Sequence, residues 1–277
     1  MSWSDENGPL GTLGGSIDLT VDHSAMRLGR TPPNAAHLAK VPKLSSFLVD
    51  EELPEPPSVL DLLSGMSSIP MLGNDQYGDC VEAGILHHIQ ALTAAMGRER
   101  VFTTPEAVEL YQAIVPTFDP TDPDTDQGTN LVEALMWWKA NGVFGYEIEG
   151  FAAIDPRDWR KRRQAMHLFG GVLWGVSLPK IAQFQFEWRV EMGRPDDQLA
   201  PAGWGRHCVS DHRSVLTPTG RPDDEPETWG GTKKVTGLWD DIYGDEAYVV
   251  LLKGWTPPNV SGFDRDALLR AMKAVSL

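Results

Sequence analysis

The sequence predicts an α+β protein of two lobes, because helical patterns come first and strand patterns come later. Three apolar repeats of helical spacing lie between Cys80 and Asn141. Three runs of strand character follow, at 172–178, around Val209 and at 247–252. No internal repeat is present.

Residues 1–55 are rich in Gly, Pro, Ser and Asn and lack periodicity, which predicts an extended N-terminal arm. The Pro-rich stretch Leu53-Pro54-Glu55-Pro56-Pro57 marks its end. A folded domain is expected over 56–256 and a helical tail over 257–277. Within the domain a first helix should run from Cys80 to about Gly97. Thr103-Thr104-Pro105-Glu106 has the cap-and-proline pattern of a helix start and leads into 107–115. An Asp/Pro loop at 119–128 precedes a third helix over 131–141. A basic helix is expected over 157–167, with a solvated face that could meet acidic patches of a neighbouring subunit.

A chain of 277 residues with 41% hydrophobic and 23% charged residues can bury a large core. Its formal net charge of −15 repels nucleic acid and anionic membranes. No block resembling a signal peptide opens the sequence. The apolar stretch 168–178 is too short to span a bilayer. A cytoplasmic setting is therefore expected. Two cysteines are too few for a disulfide framework, so both are expected to be reduced, with a Cys80–Cys208 disulfide as the rival.

Cys80 sits at the predicted first turn of a helix, in Asn74-Asp75-Gln76-Tyr77-Gly78-Asp79-Cys80. Unpaired N–H groups and the helix dipole favour thiolate there, and the thiolate is the nucleophile. The bland alternative is a buried small hydrophobe. A cysteine hydrolase also needs a base, a group that orients the base, and donors for an oxyanion. His207, in Gly203-Trp204-Gly205-Arg206-His207-Cys208-Val209, is the candidate base, with a hydrogen-bonded core histidine as the alternative. Cys208 should face away from His207, since strand neighbours alternate. His87 and His88 read as packing and surface residues.

These motifs resemble those of the papain-like cysteine peptidases. That family's nucleophile motif is Gln-x-x-x-Gly-x-Cys, and Asn74-x-x-x-Gly78-x-Cys80 is similar with Asn for Gln. Pro57 to Asp61, Gln127-Gly128-Thr129-Asn130, 171–178, Thr228-Trp229-Gly230 and 245–249 resemble further family segments in the same order. The segments 74–80, 168–183 and 245–251 look like an uncharacterised branch carried by bacteriophages and bacteria. The resemblance implies a papain-like fold, with a helical lobe and a strand-rich lobe. It implies Cys80 as nucleophile, His207 as base and acid, and Asn74 as an oxyanion donor. Glu227 stands where the family has the Asn that orients its histidine, and a carboxylate there could hold His207. Val81 replaces a large residue after the nucleophile, and Arg206 replaces a small one before the histidine. The segment 221–227 reads as a solvated acidic insertion.

Carboxylates at 122, 124, 126 and 133 mimic a calcium loop, but the glycine comes one place late and an Asx-rich turn is the preferred reading. No cofactor or metal is expected. The function expected is a cysteine hydrolase acting on a peptide, isopeptide or amide bond of a peptide or protein substrate. The alternatives are a degenerate papain-like module, for instance a phage particle component with an assembly partner on the arm, and a binder without turnover.

Overall fold

The helix Cys80–Ala95 is buried without interruption from Cys80 to Thr93, and the rest of the protein is arranged around it. The computed structural model describes residues 22–49, 53, 55–256 and 260–275. In chain order the helices are α1 (Ala35–Leu38), α2 (Cys80–Ala95), α3 (Thr104–Ile114), α4 (Leu131–Asn141), α5 (Trp159–Phe169), α6 (Asp196–Leu199), α7 (Trp239–Tyr243) and α8 (Arg265–Ala274). The strands are β1 (Val59–Asp61), β2 (Ile148–Ile154), β3 (Val172–Leu178), β4 (Gly205–Asp211), β5 (Arg213–Leu216), β6 (Pro222–Asp224), β7 (Glu227–Thr228), β8 (Gly231–Thr232) and β9 (Gly244–Leu252).

Local signals account for the helix limits. Thr103 and Glu106 form a reciprocal capping box at the start of α3. Asn130 accepts from Val132 and Glu133 N–H at the start of α4, and Gly142, at φ 74°, ends it. Asp158 caps α5, and Gly170 closes it in the left-handed region at φ 85°.

The larger sheet is antiparallel, in the order β2-β9-β3-β4-β7-β8. A smaller sheet has the order β1-β5-β6. All seven residues of β3 are buried, so both of its faces are covered. One apolar cluster joins α2, α3 and α4 to Leu173, Phe151 and Tyr248. A second lies on the other side of the sheet, around Trp174, Trp188 and Trp239. Each such buried large side chain contributes about 1.5–3 kcal/mol from apolar burial. Gly84 lets α2 approach the sheet, because a Cβ there would lie 3.2 Å from the Cys208 sulfur.

Residues 22–49 lie along this body and contribute to it: Val41 and Leu44 are buried in the two clusters. Residues 1–21 of the predicted arm lie outside the described residues. In the predicted tail, α8 packs into the second cluster through Leu268 and Met272.

Two sequence expectations are corrected here. The basic helix is not a solvated face: Arg162 and Arg163 are buried. Arg162 pairs with Asp224 at 2.6 Å and Asp240 at 3.0 Å, and Arg163 donates to Ser214 Oγ at 2.8 Å. Nor is 221–227 a solvated insertion, for Asp224 and Glu227 are both buried. At Asp224 the two corrections share a cause, since the buried Arg162 draws in a distant carboxylate that neutralises it.

Candidate active site

Cys80 is fully buried at the first residue of α2. The first intrahelical bond is from Ala83 N–H to the Asp79 carbonyl, so the preceding N–H groups of the helix are free of helical partners. The Cys80 sulfur instead meets the backbone N–H groups of Gly29 and Cys208. This places it between residue 29 and strand β4, against the backbone of the residue that follows His207. Burial, with the nearby Glu82 and Asp79 carboxyls acting in the same direction, outweighs those two donors and pushes the thiol up to about 12. The thiolate expected from the helix start is thus suppressed in this form. Asp79, at the N-cap, is buried with neither carboxylate oxygen bonded, and burial raises its carboxyl well above the usual range. Glu82 accepts from Thr129 Oγ1 at 2.7 Å and is raised by burial to about 7.

His207 is buried on β4, opposite Val176 of β3. Its Nε2 lies 2.6 Å from Thr228 Oγ1, and its Nδ1 has no partner. Its ring stacks on Trp229 at 4.7 Å. Burial lowers the imidazole to about 3, and the Arg30 charge acts in the same direction. Next along the strand, Cys208 faces α2 at Gly84. Both cysteines are free thiols.

Glu227 does not reach His207. Its Oε1 lies 2.7 Å from Nδ1 of His212, whose Nε2 lies 2.9 Å from Nδ1 of His88. Glu227 and Thr228 are consecutive residues of β7 and point to opposite faces, so only one of them can meet His207. Thr228 takes that place. Its neighbours Trp229 and Gly230 were the visible signal, read one residue too far upstream. His88, expected as a surface or packing residue, is buried beside His212, and His87 is buried with Nε2 2.9 Å from the Pro70 carbonyl. Burial lowers Glu227's partner His212 to about 3 and raises Glu227 well above the carboxylate range, so the pair is held neutral.

Asn74 is buried in the turn before α2, with its N–H on the Met71 carbonyl at 3.2 Å and its Oδ1 unbonded. Neighbouring Gly73 keeps this turn against the helix start, since a Cβ there would lie 3.0 Å from Asp79 Oδ2. The Asp122–Glu133 carboxylates diverge. Asp122 caps its own short turn, Asp126 accepts from Gly78 N–H and Tyr111 O–H, and Glu133 lies 3.3 Å from His37. Among the described residues no group of three or more His, Cys, Asp or Glu side chains is placed to hold a metal ion.

The feature sequence reasoning missed is what covers Cys80. Residues 22–31 form a strap along the cleft. Gly29 passes between Gly78 and Gly128: a Cβ on Gly29 would stand 1.6 Å from the Gly78 carbonyl oxygen. The strap pairs in parallel with the 128–129 wall, through Thr129 N–H to the Gly29 carbonyl at 2.8 Å and Thr31 N–H to the Thr129 carbonyl at 3.0 Å. At its start His23 stacks on Trp229 at 5.0 Å, and its N–H donates to the Gln183 carbonyl. A cleft of about 390 Å³ remains beside it, between Trp204 and the Gly78–Asp126 side. Only composition was available to signal the strap, because its hold combines main-chain bonds and glycine contacts with side chains, Arg30 and His23, whose partners lie far along the chain.

No family model and no curated protein matches the chain. Solved structures do match in fold. The cysteine protease xylellain from Xylella fastidiosa aligns at TM-score 0.62 and 9% identity, over 83% of this chain and 98% of its own. ProCathepsin B S9 from Trypanosoma congolense aligns at TM-score 0.55 and 10% identity, over 86% and 88%. Procathepsin L2 from the Tenebrio molitor larval midgut aligns at 0.56 and 13%, over 83% and 79%. No helix among the described residues is long and apolar enough to cross a membrane. The chain therefore has the two-lobed fold of the papain-like cysteine proteases, with its own N-terminal segment lying in the cleft at Cys80.

Proposed function

We propose that the protein is a papain-like cysteine hydrolase of peptide or other amide bonds, held latent by its strap. One observation carries this reading. The thiol at the start of the buried helix lies against the strand of a histidine whose Nε2 is held by Thr228 and whose Nδ1 is unbonded. With the strap gone, water reaches both groups and the Arg30 charge leaves His207. Both changes favour the thiolate–imidazolium pair.

Cys80 sulfur would then attack the substrate carbonyl while His207 Nδ1 takes the thiol proton. The developing oxyanion would receive the Cys80 backbone N–H and the Asn74 side-chain amide. His207 would return the proton to the leaving amine, and water would release the acyl group from Cys80 with His207 again as base. Thr228 Oγ1 accepts from Nε2–H, which keeps Nδ1 available as the base.

A second reading is a degenerate module that keeps the fold for assembly, such as a phage particle component. It is favoured by the unbonded Asp79 carboxyl and the Glu82 carboxyl near the thiol, which oppose a thiolate. The full-length chain with Arg30→Ala, which loosens the strap, separates the two. The hydrolase reading expects cleavage of fluorogenic peptide amides and rapid alkylation of Cys80, both lost on adding His207→Ala. Absence of cleavage, with Cys80 reacting no faster than a free thiol, would leave the module.

A further inference from the structure

The Arg30 side chain of the strap is completely buried in a pocket of the strand-rich lobe. Its three nitrogens are all engaged. Nε donates to the His207 carbonyl at 3.1 Å, Nη1 to Glu246, and Nη2 to Asp245 and, at 3.4 Å, to the Val176 carbonyl. The pocket is built rather than incidental. Gly175 supplies its open wall, for a Cβ there would lie 2.8 Å from Arg30 Nε and 2.7 Å from Glu246 Cγ. Tyr248 O–H fixes Glu246 at 2.7 Å, and Arg206 Nε lies 3.3 Å from Asp245. The pocket's floor is the backbone of His207, and the residue preceding Arg30 is the one that meets the Cys80 sulfur.

A substrate that takes the strap's place runs between Gly78, Gly128 and strand β4. Its side chain next to the thiol then faces this pocket. We propose that the pocket is a guanidinium site for the substrate: the hydrolase takes peptides bearing arginine beside the residue at Cys80, and Glu246 and Asp245 select it. The inference rests on the hydrolase reading above. Arginine is favoured over lysine because the acceptors lie in four directions around a planar fork, which one ammonium cannot satisfy together. Apolar side chains would leave the buried Glu246 without a cation and Asp245 with Arg206 alone.

The test uses the full-length chain with Arg30→Ala, and Arg30→Gln should the first variant not fold. Low-millimolar methylguanidinium should raise the melting temperature by about 2 °C or more, while methylammonium does not, and Glu246→Gln should abolish the shift. A peptide library digested by the same variant should show arginine enriched on the order of tenfold at one position near the cut, lost with Glu246→Gln. Equal shifts with both cations, or cleavage without arginine enrichment, would overturn the pocket assignment and leave the hydrolase standing. A guanidinium-specific shift without any cleavage would uphold the pocket and remove the hydrolase.

Discussion

Gly29 and Gly128 touch backbone to backbone: a Cβ on Gly128 would stand 1.8 Å from the Gly29 carbonyl oxygen. With Gly78 on the other side, the strap crosses the cleft at a point where no side chain fits. Gly29→Ala should therefore expel the strap without unfolding the body, because the strap adds only Met26 and Leu28, both partly buried, to the margin of the second cluster. Alkylation of Cys80 should accelerate by at least about tenfold, the factor given by 1.4 kcal/mol of lost strap contact. An unchanged rate with an unchanged melting temperature would show that the strap does not govern access to the thiol.

Thr228 should act through its hydroxyl. Thr228→Val removes the partner of His207 Nε2 and leaves a buried nitrogen unpaired, at a cost of about 1–3 kcal/mol. Turnover by the strap-loosened chain should fall with little change in KM, and its pH profile should shift. Thr228→Ser should restore both. A loss of stability that Thr228→Ser does not recover would mark a packing role only.

Glu227→Gln should leave the reactivity of Cys80 and its pH profile unchanged, because Glu227 bonds His212 and not His207. The amide can still hydrogen-bond to His212 Nδ1. A slowed alkylation would show that the Glu227–His212–His88 chain communicates with the thiol.

Glu82 gives the protein a pH-dependent cost. Burial raises its carboxyl from 4.5 to about 7. Between those values the native chain binds more protons than the unfolded chain, so Glu82's contribution to stability falls as pH rises from 4.5 to 7 and stays low above. Glu82→Gln keeps the acceptor for Thr129 and removes the charge. Its stability advantage in urea unfolding should be absent near pH 4 and grow by pH 8 to at most about 3 kcal/mol. A pH-independent difference would contradict the shift.

The elements legible in the sequence are those with their own punctuation. Helix α4 runs over the predicted 131–141 because Asn130 caps it and Gly142 stops it. Strand β3 occupies the predicted 172–178, an apolar run with no competing helical repeat. Strand β2 was not read, since Gly150, Ala152 and Ala153 give it weak strand character; its place comes from pairing with β9. The site divided in the same way. Cys80 and His207 stood out through local motifs, and the structure sets the thiol against the histidine's strand. Thr228 could not be told from Glu227, because a two-residue strand carries no alternation from which to read its facing. The burial of Arg162 was hidden because its partners, Asp224 and Asp240, lie 62 and 78 residues away.

The strap precedes in the chain everything it covers. Synthesis runs from the N-terminus, so residues 22–31 leave the ribosome before Cys80, and long before His207 and Thr228. The Cys80 thiol and His207 cannot be brought together until β4 exists, and by then residues 22–31 are already tethered close by. The nascent chain has no interval in which the thiol–histidine pair is assembled and uncovered. On the hydrolase proposed above, protection of the cell's own proteins would need no separate inhibitor and no coordinated expression. It would follow from the order in which the residues are joined.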